Sequence, residues 1–177
     1  MSITEPGELT PSELKDAELL VRSAFGATFR THDWLHGIDG VHVMITDDED
    51  LVAHASVAPR ALRHGPTVFD TGYVEAVAVR ADQQGRGLGR VVMDHAEFVI
   101  GTRHQIGALN AVDTAAAFYA ARGWHHWTGP TAAHSPAGIV DTYDSADRIF
   151  VFPAPAGTQL MESGTALICD WRVGDLW

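Results

Sequence analysis

Val77-Ala-Val-Arg-Ala-Asp-Gln-Gln-Gly-Arg-Gly-Leu-Gly-Arg90 decides the fold. An apolar strand runs into a glycine-rich turn, and a helix follows. Gly85, Gly87 and Gly89 let the main chain turn sharply and approach a ligand closely. The free N–H groups at the helix start point outward, and the helix dipole adds to their attraction for anions. Arg86 and Arg90 supply positive charge beside them. The object such a turn holds is a pyrophosphate. A Walker loop would need a Gly-Lys-Ser/Thr ending, which is absent. A dinucleotide fingerprint needs GxGxxG, and Gly85-Arg86-Gly87-Leu88-Gly89 has a different spacing.

Upstream, Leu14, Ala17, Leu20, Val21 and Ala24 fall at helical spacing, which predicts a helix over Ser12–Phe25 with Ser12 as N-cap. Ala27 to Gly40 reads as a loop or short helix. Val41 to Thr46, Leu51 to Leu62 and Val68 to Val79 read as an antiparallel meander. Its turns are Asp47-Asp48-Glu49-Asp50 and His64-Gly65-Pro66, and Pro59 marks a bulge or an edge.

Downstream, Gly89 to Ile100 reads as helix and Ile106 to Ala111 as strand. Asp113 to Arg122 reads as a helix capped by Asp113 and stopped by Gly123. Trp124 to Trp127, Ile149 to Phe152 and Thr165 to Arg172 are further strands. Thr128 to Asp147, rich in Gly, Pro, Ser and Thr, reads as a long loop. The sum is an α/β fold in one domain, residues 1–177.

Composition narrows the function. Hydrophobic residues make up 46% of the chain, enough for a core without staples. The single cysteine, Cys169, has no partner within the chain. The N-terminus carries charges and a proline in place of an apolar run, and no stretch is long enough to span a bilayer. A cytoplasmic protein is expected. The net charge of −11 and the one lysine among scattered arginines disfavour nucleic acid and suit a cationic partner. No metal-ligand spacing stands out; His125 and His126 are adjacent and read as structural.

Gln84-Gly85-Arg86-Gly87-Leu88-Gly89 resembles the cradle of the GNAT superfamily of acyl-CoA-dependent N-acyltransferases. Ala115-Ala-Ala-Phe-Tyr-Ala-Ala-Arg-Gly-Trp124 looks like that family's later signature. Three further stretches are similar to the aminoglycoside 2′-N-acetyltransferases. They are Gly72 to Asp82, Arg122 to Thr131, and the closing Cys169-Asp-Trp-Arg-Val-Gly-Asp-Leu-Trp177. The resemblance implies a mixed, largely antiparallel central sheet flanked by helices. It implies acetyl-CoA as cosubstrate, its pyrophosphate held by the main chain from Gln84 to Arg90 and its pantetheine arm paired with Val77, Ala78 and Val79. It also implies a homodimer.

The resemblance further implies Glu75 as base, acting through a water, and Tyr119 as the acid for the leaving thiolate. The Val77 N–H is the candidate oxyanion donor. Candidate acceptor contacts are Thr28, Arg30, Asp33, Glu75, Ala76, Asn110, Asp144, Asp147, Asp175 and Trp177. Each has a plain alternative: Glu75 as a solvent-facing carboxylate, Tyr119 as a packed aromatic, Asp33 as a turn cap, the tail as a frayed end.

The chain departs from the family's pattern in its first loop. Thr28 stands where an acidic residue is usual, and Arg30 adds a cation; Asn110 replaces a serine. A carboxylate exchanged for an arginine suits a less cationic acceptor. Kasugamycin, with a 2′-amine and a carboxylate on its amidine, fits that exchange. Other functions compatible with the residues are acetylation of a metabolic polyamine or a protein N-terminus, and non-catalytic acyl-CoA sensing.

Overall fold

The computed structural model describes residues 2–4, 7–153 and 164–177. They form two compact units, one of residues 1–58 and 74–99 and one of 59–73 and 100–177.

The first unit begins with strand β1 (Ser2–Thr4) and helix α1 (Pro11–Phe25). The N-cap of α1 is Thr10, two residues ahead of the expected Ser12. Thr10 and Glu13 close a capping box, and Pro11 takes the first helical position, where its missing N–H costs nothing. The stretch left open as loop or short helix contains helix α2 (Thr31–Gly37).

Strands β2 (Val41–Asp47), β3 (Asp50–His64) and β4 (Thr67–Val79) are the expected meander. Asp48 and Glu49 form the two-residue turn between β2 and β3, both at positive φ, as tight hairpins demand. In this unit the strand order is β1-β2-β3-β4. Ala17, Leu20 and Val21 of α1 pack with Trp34 of α2 and Ala78 of β4. Helix α3 (Leu88–Arg103) starts here, burying Val92, Met93 and Ala96.

In the second unit come β5 (Ile106–Asn110), α4 (Ala116–Ala121), β6 (His125–His126), β7 (Thr131–Ser135), β8 (Gly138–Asp141), β9 (Ile149–Pro153) and β10 (Leu167–Asp170). The strand order is β6-β9-β5-β4-β3-β10-β7-β8. The pairs β4–β5 and β7–β10 are parallel, and β3–β10, β5–β9, β6–β9 and β7–β8 are antiparallel. Along β3, pairing with β2 stops at Val57 and pairing with β10 starts at Leu62, so Pro59 falls in the gap between these two successive partners. The core joins Leu62, Tyr73, Ile106, Ile149, Leu167 and Trp177. Gly107 is required there, because a Cβ would lie 2.9 Å from Ile100 Cδ1 and 3.2 Å from both Phe152 and Trp124.

Two expectations are corrected in this unit. Residues 128–147 are not one loop: β7 and β8 make a hairpin closed by Ser135, whose hydroxyl donates to the Gly138 carbonyl at 2.7 Å. Asp113 does not cap a helix over 113–122. A 3-10 turn over Asp113–Ala115 precedes the short α4, and the Asp113 carboxylate instead pairs with Arg148 at 2.8 Å. No helix among the described residues is long and apolar enough to cross a membrane.

Candidate active site

The first unit carries the glycine-rich turn expected to hold an anion. After β4 the chain makes a 3-10 turn over Ala81–Gln83, and Gln84 is extended. Gly85 and Gly87 then sit at φ of +76° and +83°, a region where an L side chain is strained. A Cβ at either would meet nothing within 4 Å, so conformation and open space, rather than crowding, are what these glycines supply. Gly89 lies inside α3, 3.8 Å from Val79 by its notional Cβ, an ordinary contact.

Helix α3 closes its first bonds from the Arg90 and Val91 N–H groups onto the Gly87 carbonyl. The turn ahead of them lies at a helix start, where main-chain donors attract anions. Leu88 is half-buried, and Gln84, Arg86 and Arg90 are exposed. Arg86 donates to the Gln83 side chain and lies 3.9 Å from Asp47. Arg80 is committed elsewhere, to Asp82 at 2.7 Å and Asp50 at 3.2 Å.

Glu75 and Val77 are half-buried on β4, on either side of Ala76. Gly37 of α2 comes close to this strand: a Cβ there would stand 3.2 Å from Glu75 Cβ and 2.3 Å from Ser56 Oγ. The Ser56 hydroxyl is buried without a hydrogen-bond partner. Ala76 has φ +53°, left-handed for a non-glycine residue, and its carbonyl meets His54 Nδ1 at 2.9 Å. Such a residue inside a strand reverses the local side-chain direction and costs about 1–2 kcal/mol.

The first-loop candidates also lie in this unit. The Thr28 hydroxyl donates to the Phe25 carbonyl at 3.0 Å. Asp33 accepts from the Arg30 main-chain N–H at 2.7 Å and sits 3.2 Å from His32, so its carboxylate does cap the start of α2. The Arg30 residue is exposed.

The second unit holds the remaining candidates. Tyr119 is buried on α4, its ring 6.0 Å from those of Trp124 and Phe150. Asn110, at the end of β5, uses both ends of its amide. Its Nδ2 donates to Asp147 Oδ1 at 2.8 Å, and its Oδ1 accepts from the Arg148 N–H at 2.9 Å. Burial holds the Asp147 carboxyl above the usual range, and the charges of Asp144 and Asp175 push the same way against the Asn110 bond. Asp144 and Asp175 thus act on the charge of Asp147, and the Arg148 charge opposes them. A pocket of about 160 Å³ is lined by His126, Trp127, Tyr143, Asp144, Asp147 and Arg148.

The tail is docked. Trp177 is buried, and its indole Nε1 donates to the Thr142 hydroxyl at 2.8 Å. The guanidinium of Arg60, on β3, donates to Asp170 Oδ1 and to the Leu176 carbonyl, each at 2.8 Å. Arg60 and Arg172 both stack on the Tyr73 ring, at 4.6 and 5.3 Å. Neither the tail anchor Arg60 nor the pocket residues His126, Trp127 and Tyr143 emerged from the sequence. The one available signal was an arginine beside the proline of a largely apolar run, Val57-Ala-Pro-Arg-Ala-Leu62.

The chain is similar to known acetyltransferases at three levels. Residues 12–125 match the Acetyltransferase (GNAT) family. The chain is 41% identical to the aminoglycoside 2′-N-acetyltransferase of Mycolicibacterium fortuitum, over 99% of this chain and 90% of that protein. Among solved structures, the ribosomal-protein-S18-alanine N-acetyltransferase of Escherichia coli superposes with a TM-score of 0.60 at 20% identity, covering 91% of this chain and 99% of that one. Escherichia coli ElaA gives 0.61 at 17%, covering 85% and 97%. These two likenesses establish the fold, and the curated relative is what narrows the branch. With its glycine-rich turn between strand and helix and its mixed, largely antiparallel strands, the chain belongs to the GNAT acetyltransferase family, in the branch of the aminoglycoside 2′-N-acetyltransferases.

Proposed function

We propose that this enzyme transfers the acetyl group of acetyl-CoA to an amine of an aminoglycoside, the 2′-amine by family resemblance, and so confers resistance. The observation that carries the acceptor class is the aromatic pocket lined by the carboxylates of Asp144 and Asp147, with the Asp175 charge acting on Asp147. Clustered carboxylates lower the energy of a polycation by charge-assisted hydrogen bonds. The net charge of −11 adds long-range, salt-sensitive steering of the same ligand.

The cradle residues suit the CoA pyrophosphate, and the main chain of Val77 to Val79 suits its pantetheine arm. Glu75, directly or through a water, takes the proton that the acceptor ammonium must lose. The freed amine attacks the thioester carbonyl and the C–S bond breaks. The Val77 N–H steadies the oxygen on which charge develops, and Tyr119 returns a proton to the departing sulfur. Much of the rate comes from holding amine and thioester together.

The exposed Arg30 supports an acceptor that carries a carboxylate among its amines, and kasugamycin has that chemistry. A thiol-release assay with acetyl-CoA tests both levels. The panel is gentamicin, tobramycin and kasugamycin, with spermidine and an N-terminal alanine peptide as controls. Turnover with aminoglycosides only is expected, and highest with kasugamycin. Turnover with spermidine or the peptide alone overturns the acceptor class. Glu75→Gln should lower kcat steeply with CoA affinity unchanged.

A further inference from the structure

His42 on β2 and His54 on β3 are 1% and 0% exposed, and their rings lie 5.2 Å apart. Trp34 of α2 packs on both, at 6.4 and 6.0 Å. Four nitrogens make three contacts in a row. His54 Nδ1 meets the Ala76 carbonyl at 2.9 Å, His54 Nε2 meets His42 Nδ1 at 2.9 Å, and His42 Nε2 meets the Ile38 carbonyl at 3.1 Å.

Both end contacts are to carbonyl oxygens, which only accept. Three contacts therefore need three hydrogens, and two neutral rings carry two. Burial pushes both rings below the usual histidine range, His54 to about 4, so the pair is neutral at physiological pH. One contact must then lack its hydrogen. The Ile38 contact is the longest of the three, and the missing hydrogen is assigned there. The hydrogens then run one way, from His42 Nδ1 to His54 Nε2 and from His54 Nδ1 to the Ala76 oxygen.

Ala76 is the one non-glycine residue within the described strands β2 to β4, outside the turn at Asp48 and Glu49, to hold a left-handed φ. It lies between Glu75 and Val77, so the orientation of its peptide aims both. We infer that His54, backed by His42, is a positioning residue that holds the Ala76 peptide and so fixes the directions of the Glu75 carboxylate and the Val77 N–H. This assignment rests on the roles proposed above for Glu75 and Val77. The contact itself does not depend on them.

Three readouts test it. Long-range ¹H–¹⁵N spectra of the histidine rings should show both His42 and His54 with the proton on Nδ1. The Val77 amide shares its peptide with the Ala76 carbonyl, and its ¹⁵N shift should move in His54→Phe and return toward wild type in His54→Asn, whose amide can replace the Nδ1 donor. In the thiol-release assay H54F should lose roughly 10- to 100-fold in kcat, the scale of a misplaced reacting group. Its CoA affinity should stay unchanged, and H54N should recover much of the rate. If H54F fails to fold by circular dichroism, His42→Phe replaces it, with a smaller Val77 shift expected. A His54 proton on Nε2, or an unmoved Val77 amide in the folded variant, overturns the assignment. So does wild-type kcat in H54F. If wild type acetylates no aminoglycoside, the proposed function fails, and the ring protons and the Val77 shift still decide whether His54 holds the peptide.

Discussion

Arg60 and Leu176 are tied across 116 residues of sequence, the guanidinium Nη1 donating to the main-chain carbonyl at 2.8 Å. The same side chain, 4% exposed, also pairs with the Asp170 carboxylate and donates to the Asp170 carbonyl at 3.1 Å. One buried arginine thus fixes both ends of the tail that carries Asp175.

Arg60→Met keeps the apolar stem and removes three bonds. Asp170 is 44% exposed and can be re-solvated, so the expected loss is about 2–4 kcal/mol, mainly from orphaned carbonyls. Urea unfolding measures it. In the folded variant the aminoglycoside KM should rise about tenfold or more, while CoA affinity by calorimetry stays the same. An unchanged KM would make the tail purely structural.

Gly87 sits at φ +83° with no atom near its notional Cβ. Gly87→Val should therefore fold, with a strain of about 1–2 kcal/mol. CoA affinity should fall at least about tenfold, because the new side chain stands on the open face of the cradle. Calorimetry checks the affinity, with circular dichroism as the folding control.

The raised proton affinity of Asp147 has a sign that can be measured. A carboxyl whose native value lies above its unfolded one binds more protons when folded. Stability is then lost as pH rises through the native value. Asp147→Asn should remove that penalty and be as stable as wild type or more so at pH 7, while weakening acceptor binding. In wild type the aminoglycoside KM should climb as pH falls toward the Asp147 value. A destabilised variant in urea melts would argue that the Asn110 bond outweighs the burial.

His54 gives the opposite slope. Its native value of about 4 lies below the ordinary 6.5. Only the unfolded chain takes up this proton between those limits. Stability is therefore full above pH 6.5, falls as pH drops toward 4, and is lower by roughly 3 kcal/mol below that. At pH 5 the loss is about 2 kcal/mol. H54N should lack this component, so its unfolding free energy should change less than that of wild type between pH 7 and 5.

The glycine turn, the meander and the α1 helix were legible because each is local: glycines at fixed spacing, alternating strands, a helical stripe. The Thr10 cap was also readable, since proline at the first helical position points to the residue before it. Other features depended on distant partners. Asp113 looks like a cap, and Arg148 competes for it from 35 positions away. The β7–β8 hairpin hid in a segment whose first strand is small and polar, Thr-Ala-Ala-His-Ser, and whose turn contains Pro136, composition that reads as loop. In the site, the residue types Glu75, Tyr119 and the acidic loop could be named from resemblance. The His42–His54 contact could not, because two histidines in apolar strands become neighbours only through the β2–β3 register that pairs Met44 with His54 and His42 with Ser56.

Asn110 constrains how this enzyme can change. A serine hydroxyl can also donate and accept, but only from one atom on a shorter side chain, whereas the Asn110 amide meets Asp147 and the Arg148 N–H through two separate atoms. Substitutions in 144–148 are therefore epistatic with position 110. A directed-evolution library that randomises the loop to alter antibiotic range should keep Asn110 fixed or vary it jointly, since the same loop sequence has a different shape without it.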